Sequence, residues 1–387
     1  MSGRKIAAAL AVLSGIVLAC AAGYLIGHLD GTGYEAVETL GGQETVWEAE
    51  AERETAQAAE STGEETAAET EPADETVRLV FAGDVLLSDH VLNAYEKAGG
   101  DITGVVDQAL LDQAEAGDLF IVNQEFPFSD RGEAAPDKQY TFRLPPQRVE
   151  LFKQMGIDWV TLANNHALDF GEEALVDTLQ TLDEAGIVHV GAGRNLAEAK
   201  EPAVAEIKGK RIGLIGATRV IPETSWNASS DKPGMLVTYD PAMTLEEIGK
   251  LKERCDFVAV YVHWGIERDE RPQEYQRAMG KQYIDAGADL VVGSHPHVLQ
   301  GIEYYKGKPI VYSLGNFVFG SSIPRTALLT VEWDGEETRL SLVPATSSAG
   351  YTRMVTEEAQ RDAFYKYMTE ISFGVTVDET GCWETEP

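Results

Sequence analysis

Two histidines one residue apart, in "GSHPHV" at residues 293–298, follow directly on the apolar run "DLVV". The chain holds only seven histidines in 387 residues. In an extended segment, side chains at i and i+2 face the same way, so His295 and His297 would offer two imidazole nitrogens to one small volume. Pro296 between them restricts φ. Such a pair is either a polar turn closing a buried strand or a metal chelate, and its company decides which.

Residues of ligand type recur where other apolar runs end. Asp84 follows "VRLVFAG", Asn123 and Glu125 follow "LFIV", and Asn164, Asn165 and His166 follow "WVTLA". His263 follows "FVAVYV", and Asn316 follows "IVYSLG". One Asp or Asn after a strand is ordinary turn chemistry. Strand end after strand end carrying carboxylate, imidazole or amide points to a metal site, because sites of open α/β sheets form outside the carboxyl ends of strands. Hard oxygens mixed with neutral nitrogens suit Zn, Mn or Fe, and no cysteine takes part. A carboxylate between two such ions could bridge them, and two ions can activate water and clamp a phosphoryl group. Taken singly, Asp84 and Glu125 also fit turn caps, and His263 fits a core histidine beside Trp264. His166 fits a ligand, a structural group or a general acid, with the general acid preferred. Asp169, in "NNHALDFG", is expected to cap a helix starting near Gly171 rather than to orient His166.

These strand ends need a scaffold. Between the apolar runs lie amphipathic stretches: "PQRVELFKQMG", "GEEALVDTLQTLDEAG", "TLEEIGKLKERC" and "PQEYQRAMGKQYIDAG". Gly156 and Gly186 end two of them, where left-handed helix caps are expected. Alternation of this kind predicts an α/β domain with largely buried strands. "LLTVEWDGEETRLSLVPA" predicts a hairpin about Asp334–Gly335, and "TEEAQRDAFYKYMTEIS" a closing helix.

The remaining sequence bounds the setting. Ile6 to Gly27 is a charge-free run of 22 residues, about 33 Å as a helix against a hydrocarbon core of roughly 30 Å. Arg4 and Lys5 precede it and acid follows, which predicts a single-pass anchor with the rest of the chain outside the cytoplasm. A lipoprotein-type site at Cys20 or a cleavage site at "ACA" competes with this reading, but the apolar run continues past both. Residues 30–76 carry 15 acidic residues and one basic residue, Arg53, and are expected to be a disordered linker. The formal charge of −33 argues against a nucleic-acid partner. Cys255 and Cys382 are expected to be unlinked thiols.

"FAGDVLL", "NQEFPF", "FRLPP", "LANNHALDFG", "GAGRNLAEA", "VHWGIE", "GSHPHVLQGIE" and "YSLGNFVF", in this order across about residues 78–320, resemble the CapA family of poly-γ-glutamate capsule proteins. That family is similar to calcineurin-like metallophosphoesterases, so the resemblance implies a four-layer α-β-β-α sandwich. It implies metal ligands at Asp84, Glu125 (bridging), Asn165, His263, His295 and His297, with His166 catalytic. One or two divalent ions are implied, and a role in making, exporting or anchoring an anionic capsule polymer with membrane and capsule-protein partners. A hydrolase of an envelope phosphoester and a non-catalytic polymer or cell-wall binder are the other functional expectations. Leu86 stands where the phosphoesterase pattern has a histidine, which leaves one metal short of a ligand. The expected organisation is an anchor (1–29), a linker (30–76), a CapA-like domain (77–345), and a C-terminal helix and tail (346–387) packing on it.

Overall fold

The structure, a computed structural model, describes residues 75–385. The expected anchor, and the expected linker up to residue 74, lie outside the described residues. Among the described residues no helix is long and apolar enough to cross a membrane.

Strands β1 (Val77–Val85), β2 (Leu119–Gln124), β3 (Trp159–Thr161) and β4 (Val188–Val190) run parallel in sequence order. Helices α1 (Asp89–Lys97), α2 (Gln108–Glu115), α3 (Val149–Gln154) and α4 (Gly171–Ala185) lie in their connections. After β5 (Ala192–Gly193) and α5 (Leu196–Ala199), a hairpin of β6 (Ala203–Ile207) and β7 (Lys210–Thr218) opens the second sheet. Short β8 (Gly234–Met235) pairs back with β5. The second sheet continues through α6 (Ala242–Lys252), β9 (Phe257–His263), α7 (Glu274–Ala286), β10 (Leu290–Ser294), β11 (Leu299–Tyr305) and β12 (Lys308–Leu314). The chain then returns to the first sheet as β13 (Asn316–Val318), β14 (Ser322–Trp333), β15 (Thr338–Ser348) and β16 (Tyr351–Met354). Helix α8 (Glu358–Ile371) and a small hairpin, β17 (Val375–Val377) with β18 (Trp383–Thr385), complete it.

The first sheet has the order β16-β15-β14-β1-β2-β3-β4, with β13 also pairing β1; the second has the order β11-β12-β10-β9-β7-β6. Alternation along β1 assigns its two faces. Leu79 and Phe81 pack with Leu214, Ala259 and Val292 of the second sheet. Val80 and Ala82 pack with Leu110 of α2 and Leu179 of α4. On the second sheet, Val260 and Val291 face Ile248 of α6 and Tyr283 of α7. The result is a mixed α/β fold of four layers, helix-sheet-sheet-helix. The central strands are buried on both faces, which is why they read as continuous apolar runs.

The smaller expectations fare unevenly. Gly156 and Gly186 take φ of 73° and 75°, as left-handed caps require. Trp333 pairs with Thr338 across the Asp334–Gly335 turn. The boundary expected after residue 345, however, falls inside β15. Residues beyond it extend the first sheet as β16, and Phe364 and Met368 of α8 enter the core between the sheets. The tail is therefore part of the same body, because its apolar face has nowhere else to be buried. Cys255 is buried, Cys382 is exposed, and neither forms a disulfide.

The crossing from β12 to β13 is tight. Asp84 N donates to Gly315 O at 2.8 Å, and a Cβ at Gly83 would lie 1.9 Å from that same oxygen. Gly83→Ala should therefore destabilise the domain by about 3 kcal/mol or more through overpacking against backbone that cannot yield. Gly156→Ala, with open space around its Cβ, should cost only about 1–2 kcal/mol of left-handed strain. Urea melts of the two variants check the ranking.

Candidate metal centre

Sheet register brings the polar strand ends into two facing rows. In the first sheet Asp84 pairs with Asn123 on one side and Asn316 on the other. In the second, His263 pairs with Thr218 and with Ser294. The loops leaving these rows add Glu125, Asn165, His166, His295 and His297.

Glu125, His263 and His295 place one potential ligand atom each within 4.8 Å of one another, and so do Asp84, Glu125 and His297. Glu125 is common to both sets. His263 Nε2 donates to Asn165 Oδ1 at 2.7 Å and lies 3.5 Å from Glu125 Oε1. His297 Nδ1 lies 2.7 Å from Asn316 Oδ1, 3.3 Å from Asp84 Oδ2 and 3.9 Å from Glu125 Oε2. All six residues expected as ligands are thus gathered in one place.

The arrangement fits a cation. Asp84 and Glu125 are both fully buried, and neither oxygen of Glu125 has a hydrogen-bond partner, nor has His295 Nδ1. A buried carboxylate without donors is costly unless a positive charge meets it. Burial, and then Asp84, push the Glu125 carboxyl well above its usual range. Burial opposes charge on His297, but the Glu125 and Asp84 carboxylates outweigh it and push that imidazole up to about 10. A proton on His297 therefore supplies the positive charge that a cation otherwise would. Burial and the neighbouring His297 bring His295 down to about 4, and burial pushes His263 well below its ordinary value. These two are neutral imidazoles, the form that binds metal.

A hydrogen-bond relay fixes the first row. Asn123 Nδ2 donates to Asp84 Oδ1 at 2.7 Å, Asn164 Nδ2 to Asn123 Oδ1 at 3.0 Å, and His166 N to Asn164 Oδ1 at 3.0 Å. His166 Nδ1 then donates to Asp169 Oδ2 at 2.7 Å. Lys138 pairs with Asp169 and also donates to the Asn165 carbonyl. Phe142 packs against the His166 ring in a tilted contact with centroids 4.6 Å apart. Burial pulls the His166 pKa below its ordinary value, against the opposing pull of Asp169.

Two expectations need correction. The His-Pro-His segment is not extended: His295 and His297 have φ of 97° and 59°, and their rings diverge to a centroid distance of 5.9 Å. The pair therefore serves the two ligand sets separately instead of one volume. Asp169 does not cap a helix either. Phe170 holds the N-cap position of α4 without a side-chain bond, while both Asp169 oxygens are taken by His166, Lys138 and Phe142 N. Lys138 is the residue that sequence reasoning missed. It sits in a loop between β2 and α3, with no periodicity to mark it. Asn123, Asn164 and Asn316 were visible as strand-end polar residues, but their partners were not.

Cation binding at this centre must displace protons. Because His297 holds its proton up to about 10, loading with Zn2+ or Mn2+ at pH 7 should release about one proton or more. Apparent affinity should then rise about tenfold per pH unit through the neutral range. Calorimetry in buffers of different ionisation enthalpy measures this directly. Binding with no proton release would contradict the coupling.

The profile of the family described as "Bacterial capsule synthesis protein PGA_cap" matches residues 78–321. The chain is 31% identical over 307 residues to "Capsule biosynthesis protein CapA" of Bacillus anthracis, covering 76% of this chain and 74% of that one. It is 34% identical over 256 residues to "PGA biosynthesis protein CapA" of Bacillus subtilis, covering 66% of each. Among solved structures, the NAD nucleotidase of Haemophilus influenzae aligns with a TM-score of 0.43 at 14% identity, covering 77% of this chain and 63% of that chain. On the extent of the family match and the identity to the Bacillus proteins, this chain belongs to the bacterial capsule synthesis protein family PGA_cap.

Proposed function

We propose that this protein serves in the synthesis, export or anchoring of a poly-γ-glutamate-type capsule, through a divalent-metal centre of the metallophosphoesterase kind. The family and the printed names of the Bacillus relatives support the capsule role. One observation carries the metal centre: Glu125 is fully buried, unpartnered at both oxygens, and shared by two ligand sets. In this reading Asp84, Glu125 and His297 hold one ion, with Asn316 beside them. Glu125, Asn165, His263 and His295 hold the other. Mn, Zn or Fe suits this donor set.

Bound there, divalent ions would supply Lewis-acid stabilisation of a developing oxyanion and a lowered water pKa. The protein's own residues do the rest. Asp169 keeps a proton on His166 Nδ1, which leaves Nε2 as the atom that exchanges a proton with substrate. Lys138 neutralises Asp169, and Phe142 fixes the ring. The substrate class is a phosphoester or related bond of an envelope compound. A second reading, a capsule subunit that binds metal without turnover, is favoured by Leu86, a buried apolar side chain where a further ligand would stand. The charge-free run Ile6–Gly27 behind Arg4 and Lys5 supports a membrane-anchored protein whose domain faces outside the cytoplasm.

The His295→Gln/His297→Gln double variant should lose its divalent metal by elemental analysis while the wild-type protein retains it. Unchanged metal content in that variant would sink the assignment. His166→Asn should retain the metal and lose hydrolysis of a generic phosphodiester by about 10²–10⁴-fold. A His166 acting as an acid loses its proton as pH rises through its depressed pKa, so activity should already decline at pH values below 6.5. Metal binding with no hydrolysis of any phosphoester would leave the subunit reading.

A further inference from the structure

Beside the first ligand set lies a cavity of about 110 Å³, lined by His297 and Asn316 on one side and by Glu270, Arg325 and Tyr367 on the other. Arg325 and Tyr367 fall outside the span that matches the capsule family, which ends at residue 321. Those two residues belong to β14 and α8, whereas Glu270 precedes α7 and lies within the matched span.

The sheet register shifts between Ile323 and Thr326, so β14 bulges at Pro324–Arg325. Bulges of this kind re-aim a side chain next to a site. The Arg325 guanidinium lies 4.1 Å from the centre of the Tyr367 ring, a stacked position that pre-orders it. Among the described residues its ion-pair partner is Glu270, at 3.6 Å with about half of each side chain exposed (50% and 48%). That separation is too long for a hydrogen bond, so the Glu270 carboxylate does not hold the guanidinium in a hydrogen-bonded fork. Burial, and then the facing Glu270 carboxylate, push the Tyr367 phenol up to about 12, so it is a neutral hydrogen-bond donor at any physiological pH. Glu270 is thus the chain's own carboxylate near the place an incoming one would take. The cavity has room for several waters or for a small ligand group such as a carboxylate.

We propose that Arg325, stacked on Tyr367 and displacing Glu270, binds a carboxylate of the ligand while the ligand's reacting group lies at His297 and Asn316. The assignment rests on the metal-centre reading only for where the reacting group lies. It gives the site a preference for an acidic, carboxylate-bearing chain.

The test is calorimetric binding of glutarate and of inorganic phosphate to the full chain, metal-free and metal-loaded. Wild-type protein should bind glutarate, and Arg325→Gln should weaken it about tenfold or more, as the loss of a charge-assisted fork implies. Glu270→Gln should tighten it several-fold, because a competing carboxylate is removed; a residue that merely supported the fold would not give a gain. No glutarate binding, no response to Arg325→Gln, or weaker binding in Glu270→Gln would overturn the proposal. Arg325-dependent binding of phosphate alone would overturn the carboxylate assignment. Arg325-dependent glutarate binding by a protein that takes up no divalent metal would leave this proposal standing and remove the metal-centre reading. Arg325-independent binding to the metal-loaded protein alone would do the reverse.

Discussion

Two carboxylates taken wholly out of water, Asp84 and Glu125, set the constraint on which the rest of this structure depends. Each ion of this kind costs several kcal/mol of solvation that only a close positive charge and directed donors can offset. The fold meets that demand unequally. Asp84 receives Asn123 Nδ2 and the His295 backbone N–H, whereas Glu125 receives no hydrogen bond at all. The asymmetry marks Glu125 as the group whose partner is a cation, and Asp84 as the group that the protein itself holds in place.

Holding Asp84 requires the two sheets to meet at close quarters. The chain leaves the second sheet at Leu314 and enters the first at Asn316, with Gly315 at φ 62° between them. Backbone contact with Gly83 is possible only because Gly83 carries no Cβ, which would lie 1.9 Å from Gly315 O. The same crossing delivers Asn316 beside Asp84, in register across β1 and β13. Tyr261 adds a tie between the sheets by donating its hydroxyl to Ala82 O at 2.7 Å. Packing and site geometry are therefore one problem here: a shift of either sheet would separate the two rows of ligands.

On the outer side of the centre the logic reverses. His166, Asp169 and Lys138 form a hydrogen-bonded chain that is satisfied without a metal ion. Burial depresses both His166 and Lys138, while Asp169 opposes the change in each. A satisfied, orienting network suits a residue that moves a proton. An unsatisfied cluster suits residues that hold an ion. The two halves adjoin because Asn165 and His166 are consecutive, the first turned to His263 and the second to Asp169.

The sequence by itself determined the strand–helix alternation, the helix-capping glycines, the hairpin at Asp334–Gly335, and the identity of the six clustered ligand-type residues. These are local properties: periodicity, turn chemistry, and polar residues at the ends of apolar runs. It left undecided which polar residues are ligands and which are supports, since Asn123, Asn164 and Asn316 share a residue type and a strand-end position with Asn165. It misassigned Asp169, because a helix does begin two residues later and the competing partner, Lys138, lies 31 positions away in the chain. It misjudged how His295 and His297 share their work, because the left-handed backbone at both residues is imposed by the turn out of β10 and not by their own preference. Only the tertiary structure could place α8 against the site, because a helix's apolar face states that it is buried and not what buries it.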